Sequence, residues 1–316
     1  MGGRGRKVRA GPLSQWNGLK RGHGVADGGG METHSHIAAR RLACRRLLGA
    51  AGGLFTALWA VVPGPWAVTA QVFFPRISGT ADDSLEALFA SENRVIRTRE
   101  RLVAVTFNAA WNDAGLESVL GTLARRHTPA TFFLTGDFAD RYPAVVKRIA
   151  AAGHGLGNHS YSHPHFAHLT EAGARHEVRA ADRALHAAGA GRALTPFFRF
   201  PYSETSTAQV REINKLGFAD IEFTTDTNGW MGTEGGMTVD RAVQRALDAL
   251  HPGAIMQMHV GAPEGRTEVI DAQALPRVLE AIHARGYRVI DLRSLLASAP
   301  SVPSGGQGTS GSRARP

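Results

Sequence analysis

Leu102-Val103-Ala104-Val105-Thr106-Phe107 is a continuous run of apolar and β-prone residues. Runs of this kind are typical of strands that are buried on both faces in a parallel sheet. Apolar residues with helical spacing follow it between positions 116 and 127, at Leu116, Val119, Leu120 and Leu123. The stretch therefore predicts one β/α unit, and we expect the folded body to begin near Arg101.

The same alternation of strand and helix repeats along the chain as far as residue 298. Further strands are predicted at 130–135, 155–158, 197–200, 219–225, 254–259 and 287–291, and further helices at 143–152, 170–188, 207–216, 238–250 and 272–285, before a short final helix. Seven strands, each followed by a helix, predict an α/β fold with either an open doubly wound sheet or a barrel.

Unusual polar residues fall where the predicted strands end. They are Asn108, His159, Arg199, Tyr202, Asp226 and His259. In a barrel the carboxyl ends of the strands converge on one face, and functional sites are built there. We therefore expect these side chains to lie close together.

Two histidines stand four residues apart within Gly157-Asn158-His159-Ser160-Tyr161-Ser162-His163-Pro164-His165. Imidazoles at this spacing converge on one point if the chain makes a helical turn, and neutral imidazole is a common ligand of divalent transition metals. His159 and His163 are therefore the candidate metal pair. The alternative is that the two histidines only cap a loop.

Five segments, in order, resemble the motifs of the polysaccharide deacetylase family, the NodB-homology domain of carbohydrate esterases. They are Val105–Ala109, His159–His163, Arg199–Tyr202, Asp226–Trp230 and Ile255–His259. The resemblance covers about residues 100–298. It implies a distorted (β/α)7 barrel and a hydrolase that removes N-acetyl groups, a non-peptide C–N cleavage, from peptidoglycan, chitin or a related polymer.

The resemblance also implies roles for individual residues. His159 and His163 would bind a divalent metal, of which Zn²⁺ is expected, and His259 would protonate the leaving amine. Arg199 would orient a carboxylate, and the backbone N–H of Tyr202 would line the oxyanion position.

On the substrate side, the resemblance implies that Trp230 forms an apolar wall and that Pro201 and Asp226 also contact the glycan. The alternative for Trp230, as for Phe200 and Met258, is ordinary barrel core.

Three positions depart from the family pattern. The family ends its first motif with two adjacent aspartates, the catalytic base and the third metal ligand, but this chain has Asn108 and Ala109. Asn108 therefore occupies the catalytic-base position without being able to accept a proton at neutral pH, and Ala109 has no ligand atom. Gly229 stands where the family has an acid before the tryptophan.

A replacement metal ligand is sought among nearby carboxylates. Asp113 is the nearest by sequence, and Asp226 is the other candidate. Asp113 is equally well interpreted as the N-cap of a helix that starts at Ala114.

Two functions follow from these residues. The first is a secreted deacetylase with an altered metal site, favoured by the retained His259, Arg199 and Tyr202. The second is a catalytically silent barrel that binds cell-wall glycan, favoured by the three missing acids.

Charge and cysteine usage restrict the partners. The formal net charge is +9, but residues 1–50 hold ten Lys/Arg against Asp27 and Glu32, so the predicted body is near neutral. A phosphate-binding face is thus not supported, and no nucleic-acid partner is expected. The single cysteine, Cys44, precedes the body, so neither a disulfide nor a thiolate nucleophile is expected there. We expect a monomer.

The N-terminal region predicts export. Residues 1–30 indicate a disordered basic head or a start codon set too early, and residues 31–70 have the pattern of a secretory signal. That signal combines Arg40, Arg41, Arg45 and Arg46 with an apolar run at 47–62 and small residues at 68–70. Twin-arginine and general export both remain open. The mature chain is expected to begin near Gln71, outside the cytoplasmic membrane, and to meet the membrane only through the signal peptide.

Two flanking segments complete the domain organisation. Residues 71–100 are a lead-in arm before the body at 101–298, and residues 299–316 are a disordered Ser/Gly/Pro-rich tail.

Overall fold

A computed structural model describes residues 85–262 and 265–297. The predicted head, the signal peptide with Cys44, the first part of the lead-in arm and the C-terminal tail lie outside these residues. The described part has the predicted α/β architecture. Its sheet is curved, entirely parallel and flanked by helices, so the distorted (β/α)7 barrel is confirmed.

The described sheet has eight strand segments. They are β1 (Leu102–Ala109), β2 (Thr131–Leu134), β3 (Gly155–Asn158), β4 (Leu194–Phe198), β5 (Ala219–Asp220), β6 (Thr225–Asp226), β7 (Ile255–His259) and β8 (Arg288–Ile290). Their order is β5-β4-β3-β2-β1-β7-β6, and β8 pairs with the start of β1. β1 is buried throughout, as its apolar sequence predicts.

The predicted strand 219–225 is two short strands at opposite edges of the sheet, β5 and β6. The reason lies in the chain between them. Arg199 is fully buried, and it donates from Nε to the carbonyl of Ile221 (2.9 Å) and from Nη2 to the carbonyl of Glu222 (3.2 Å). These carbonyls bind a guanidinium instead of a neighbouring strand, so the ladder is interrupted there.

Helices cover the outer face of the sheet. They are α1 (Leu85–Leu88), α2 (Leu116–Arg125), α3 (Gly136–Arg141), α4 (Pro143–Ala151), α5 (Glu171–Ala187), α6 (Thr207–Lys215), α7 (Val239–Asp248), α8 (Ile270–Ala284) and α9 (Ser294–Ala297). Within the described ranges, none of these helices combines the length and apolar character that crossing a bilayer requires. Helix α3 was not predicted; the Thr135 hydroxyl caps it by accepting from the N–H of Phe138 at 3.1 Å.

The prediction that Asp113 caps a helix from Ala114 is wrong. Helix α2 begins two residues later, at Leu116, and its N-cap residue is Gly115. The backbone carbonyl of Asp113 accepts from the N–H of Leu116 at 2.9 Å, so this residue forms the turn before the helix.

The two faces of β1 belong to different hydrophobic clusters. Val103, Val105 and Phe107 join the large cluster between sheet and helices, whereas Ala104 joins an inner cluster with residues from β2, β4, β5, β7 and β8. This alternation follows from the two-residue repeat of a strand. It also sends Asn108, four residues after Ala104, to the inner side of the sheet.

The lead-in arm contributes to the barrel. Asn93 forms a parallel bridge with Ile221, and Val95 forms an antiparallel bridge with Ala254. Ile96 is 3% exposed and belongs to the inner cluster. Residues 93–96 therefore join the segment that follows β5 to the segment that precedes β7, and the packed body starts before the Arg101 that the sequence predicted.

Candidate active site

His159 follows β3 and is fixed by two contacts in the barrel interior. Its Nδ1 lies 2.8 Å from the backbone carbonyl of Arg199, which can only accept, so Nδ1 carries the proton. Nε2 is then the nitrogen with a free lone pair. Burial lowers the pKa of His159 well below its ordinary value, and the neighbouring His163 lowers it further, so the ring is neutral at pH 7.

His163 is the second imidazole of the pair. Its ring centroid lies 4.9 Å from that of His159, with the two rings nearly perpendicular. Burial lowers the pKa of His163 to about 4, and repulsion from His259 adds to the effect. The structure thus brings together two neutral imidazoles, the form in which histidine binds metals.

The side chain of Asn108 occupies the free lone pair of His159. Nδ2 of Asn108 lies 3.2 Å from Nε2 of His159 and 3.0 Å from Oε1 of Gln257, and it donates to both. Oδ1 of Asn108 accepts from Nη1 of Arg199 at 3.1 Å. Because an arginine can only donate, the oxygen of the amide must face Arg199 and its nitrogen must face the histidine.

Arg199 is the centre of this network. Besides the carbonyls of Ile221 and Glu222, it donates to Thr106 Oγ1 (2.9 Å), Asn108 Oδ1 and Gln257 Oε1 (3.2 Å). Burial lowers the pKa of Arg199 to about 10, so it remains a cation at neutral pH. The side-chain oxygens that accept hydrogen bonds from Arg199 belong to a hydroxyl and two amides. The expected role of Arg199 in orienting a carboxylate stays a prediction.

The donor set fits a metal ion poorly. The tautomer of His159 suits a ligand, since a backbone carbonyl on the other ring nitrogen is the usual support of a metal-binding imidazole. Yet its lone pair is bound to an amide N–H, and Ala109 supplies no ligand. Between residues 85 and 262 and between 265 and 297, no three His, Cys, Asp or Glu side chains form a group that could hold a metal.

Neither candidate replacement ligand completes the pair. Asp113 belongs to no such group, so the structure does not supply it as a third ligand. Both carboxylate oxygens of Asp226 are engaged: Oδ1 accepts from the N–H of Asn228 at 2.7 Å and Oδ2 from Nε2 of Gln257 at 2.8 Å. The carboxylate of Asp226 is therefore already bound by groups of the protein.

His259 ends β7, opposite Asn108 in the register. Its Nδ1 lies 3.4 Å from Oδ2 of Asp271 and 3.8 Å from Oδ1 of Asp226, distances of ion pairs without hydrogen-bond geometry. Burial alone would lower the pKa of His259, but the two carboxylates outweigh it and raise the pKa above its ordinary value. The site therefore favours an imidazolium, the form needed to give a proton to a leaving amine.

Tyr202 lies on an exposed rim of the site. It is 54% exposed, and its ring stacks on that of His165 at 3.9 Å and meets that of His163 edge-on at 4.7 Å. His165 is held in turn by Glu204, with Nδ1 2.9 Å from Oε2. Pro201, next to Tyr202, is buried.

Two tryptophans form a second rim. Trp230 is half-buried and packs edge-on against Trp111, with centroids 6.4 Å apart, and Trp111 is 37% exposed. Phe200 and Met258 lie in hydrophobic clusters, whereas Trp230 belongs to none of them. The wall role fits Trp230, and the core role fits the other two.

Strained backbone is concentrated in these loops. Six described non-glycine residues have positive φ, and five of them follow β3, β4 or β6: Ser160, His163, Tyr202, Ser203 and Asn228. Such conformations cost about 1–2 kcal/mol each and persist where the surrounding structure enforces them, which is common at binding and catalytic sites.

Sequence reasoning missed two residues of the network. Gln257 forms hydrogen bonds with Asn108, Arg199 and Asp226. It lies within the fifth motif, but no role was predicted for it from the sequence. Asp271 is fully buried, and the helix was predicted to begin just after it. Its spacing to Leu275, Leu279 and Ile282 puts it on the apolar face of α8, and a carboxylate on such a face was the signal that could have revealed it.

Comparisons with known proteins agree with this geometry. Residues 96–221 match the family model described as polysaccharide deacetylase. A peptidoglycan-N-acetylglucosamine deacetylase of Bacillus cereus is 31% identical over 193 residues, which cover 61% of this chain and 67% of that protein. A chitooligosaccharide deacetylase of a Bradyrhizobium species is 31% identical over 203 residues, covering 62% and 90%.

A solved structure resembles the chain in fold. It is that of a CE4 family pseudoenzyme from Bacillus anthracis, with a TM-score of 0.60 and 26% identity over 68% of this chain and 72% of that one. A mutant of the same protein, described as having restored enzymatic activity, matches equally well. With the fold, the five motifs in place and these relatives, the chain belongs to the polysaccharide deacetylase family.

Proposed function

We propose that this protein binds N-acetylated cell-wall polysaccharide in the cleft between the Tyr202 and Trp230 rims, and that it does not deacetylate that polysaccharide in its natural form. The observation that carries the proposal is the contact between Asn108 and His159. An amide N–H lies on the lone pair that a metal would require, and no carboxylate stands where the family has its base.

The retained parts of the site support recognition of a sugar. Exposed aromatic side chains on both rims offer apolar faces with polar edges, which suit pyranose rings. The relatives named above act on peptidoglycan and chitooligosaccharides, and the B. anthracis structure is described as a pseudoenzyme. Peptidoglycan or a chitin-like polymer is therefore the substrate class that we assign to the cleft.

Metal-dependent deacetylation is the second candidate, and the environment of His259 favours it. A histidine whose pKa is raised by two neighbouring carboxylates suits the role of a leaving-group acid, and a binding protein has less need of it. In that case His159 and His163 would hold the metal, with Zn²⁺ expected. A divalent metal supplies carbonyl polarisation and water activation in hydrolases of this kind.

We further propose that the protein acts outside the cytoplasmic membrane. The support is the sequence of residues 31–70, with its arginines, apolar run and small residues, which lie outside the described residues. A cell-wall polysaccharide as ligand agrees with this location.

Two measurements on one set of proteins test the proposal. Purified wild type should sediment with insoluble peptidoglycan or chitin and release no acetate from N-acetylglucosamine oligomers in the presence of Zn²⁺. The double variant Asn108→Asp/Ala109→Asp should bind equally well and release acetate, because a general base alone typically contributes about 10²–10⁴-fold. Adding His259→Ala to the double variant should impair that release.

Acetate release by the wild type that disappears in His163→Ala would support the second candidate instead. Failure of the wild type to bind either polymer would contradict the assignment of the cleft.

A further inference from the structure

Gly229 and Asp271 share one small volume next to His259. A Cβ added to Gly229 would overlap Cγ and both carboxylate oxygens of Asp271, which reaches this place from α8. Gly229 is itself buried and lies in the loop after β6, one residue before Trp230. The absence of a side chain at position 229 is therefore what makes room for the carboxylate of Asp271.

The carboxylate of Asp271 is held by the loop and the strand that carry the site. Its Oδ1 accepts from the hydroxyl of Thr227 at 2.6 Å, and its Oδ2 accepts from the backbone N–H of His259 at 2.8 Å. The same Oδ2 lies 3.4 Å from Nδ1 of His259. Asp271 has no exposed surface, so solvent does not screen its charge from the imidazole.

We propose that Asp271 supplies, from a different element of the fold, the carboxylate that the fourth motif lacks at Gly229, and that it positions the imidazole of His259 toward the bound glycan. Asp271 is a positioning residue, since it reaches the substrate only through His259. The proposal rests on the proposed function and deepens it, because it assigns the residue that supports His259, a proton donor of the site.

The arrangement has a chemical consequence. The carboxylate of Asp271 accepts a hydrogen bond from the backbone N–H of His259 and lies at ion-pair distance from the Nδ1 of its ring, so it contacts both the end of the strand and the side chain. Asp226 lies on β6, which pairs with β7, and its Oδ1 is 3.8 Å from the same Nδ1. Because both carboxylates lie on the Nδ1 side of the ring, Nε2 is the nitrogen available to donate to a ligand.

Relocating the carboxylate is the test. Gly229→Asp alone should lower Tm, by on the order of 5 °C or more, because the new side chain has no space. In an Asp271→Ala background the same substitution should be tolerated, so that Gly229→Asp/Asp271→Ala has a higher Tm than either single variant. Gly229→Ala/Asp271→Ala is the matched control, since it fills the space without returning a charge.

NMR of the His259 ring separates positioning from packing. The imidazole ¹⁵N and ¹³C chemical shifts are measured at one fixed pH without glycan. They should change in Asp271→Ala and in Gly229→Ala/Asp271→Ala, and they should return toward the wild-type values in Gly229→Asp/Asp271→Ala. Asp271→Asn, which keeps shape and can still accept from the His259 N–H, gives the same reading if Asp271→Ala does not fold.

Unchanged chemical shifts of the His259 ring in Asp271→Asn would overturn the proposal. So would a decrease in Tm on Gly229→Asp that is the same in the wild-type and Asp271→Ala backgrounds. None of these readouts involves glycan. Loss of the proposed glycan binding in the wild type would therefore be distinguishable from failure of this inference.

Discussion

Nδ2 of Asn108 donates to Nε2 of His159 across 3.2 Å, while Nδ1 of the same ring is bound to the carbonyl of Arg199. Both ring nitrogens are therefore engaged by the protein. A metal ion would have to displace the amide before it could bind His159, and the displaced amide would lose a partner in a buried site. The replacement of the family's aspartate by Asn108 thus has two effects: the site loses its catalytic base, and the Nε2 of His159 is no longer free to bind a metal.

We predict that the wild type binds Zn²⁺ weakly and that Asn108→Asp/Ala109→Asp tightens binding by at least about tenfold, because it frees the imidazole and adds oxygen ligands. Isothermal titration calorimetry measures the difference. Introducing His159→Ala or His163→Ala into the double variant should abolish the gain. Equal affinity of wild type and double variant would mean that the amide does not compete with the metal.

Arg199→Lys should destabilise the fold by about 3 kcal/mol or more. An ammonium cannot reproduce the planar set of donors that satisfies two carbonyls, a hydroxyl and two amides, and each buried acceptor left unpaired costs about 1–3 kcal/mol. Urea unfolding measures the loss. Arg175→Lys, at a surface arginine that pairs with Glu171, is the control and should change stability by less than about 0.5 kcal/mol.

Acid should destabilise the protein between about pH 6.5 and pH 4, in part through His154. Burial lowers the pKa of His154 to about 4, so the unfolded chain takes up a proton in this window that the folded chain does not. Stability is therefore lost as the pH falls, by at most about 3 kcal/mol from this residue. His154→Leu, measured by urea unfolding at several pH values, should flatten the slope; the same substitution at the exposed His168 is the comparison.

Tyr202→Ala should weaken binding to N-acetylglucosamine oligomers by about tenfold or more while leaving Tm nearly unchanged, because the ring is 54% exposed and contributes contact area instead of core. Tyr202→Phe retains the ring and should bind almost as the wild type does. Equal affinity of the Ala and Phe variants would exclude stacking on this ring.

Expression in a host with a cell envelope should yield a mature chain that begins near Gln71 outside the cytoplasmic membrane, because residues 31–70 carry the features of a cleaved signal. N-terminal sequencing of the exported protein checks this. Full-length protein retained in the cytoplasm would contradict both the export prediction and the account of the basic N-terminal charge.

The sequence predicted most of the architecture because the strands are apolar runs separated by amphipathic helices. The run from Leu102 became β1 and remained buried over its whole length, and the polar residues expected at strand ends do meet: Asn108 lies beside His259 and contacts His159. These features depend on local patterns with a fixed period, which a single sequence displays.

What the sequence did not reveal depends on contacts between distant residues. The break between β5 and β6 follows from the hydrogen bonds of Arg199, more than twenty residues earlier in the chain. The role of Asp271 depends on the missing side chain at Gly229. No periodicity or local propensity encodes either relationship, since both require the fold to bring the partners together.

The bridges of Asn93 to Ile221 and of Val95 to Ala254 bear on the order of folding. The first segment of the body to leave the ribosome is paired with partners more than a hundred residues downstream, and contacts at such separation are slow to form because a long loop must close first. We call these two contacts, Asn93 with Ile221 and Val95 with Ala254, the seam of the barrel. We expect the seam to close last, once α7 and β7 have been synthesised. If the protein is exported as proposed and crosses the membrane unfolded, a chain in transit would keep that seam open and its inner apolar surface accessible to the factors that carry it.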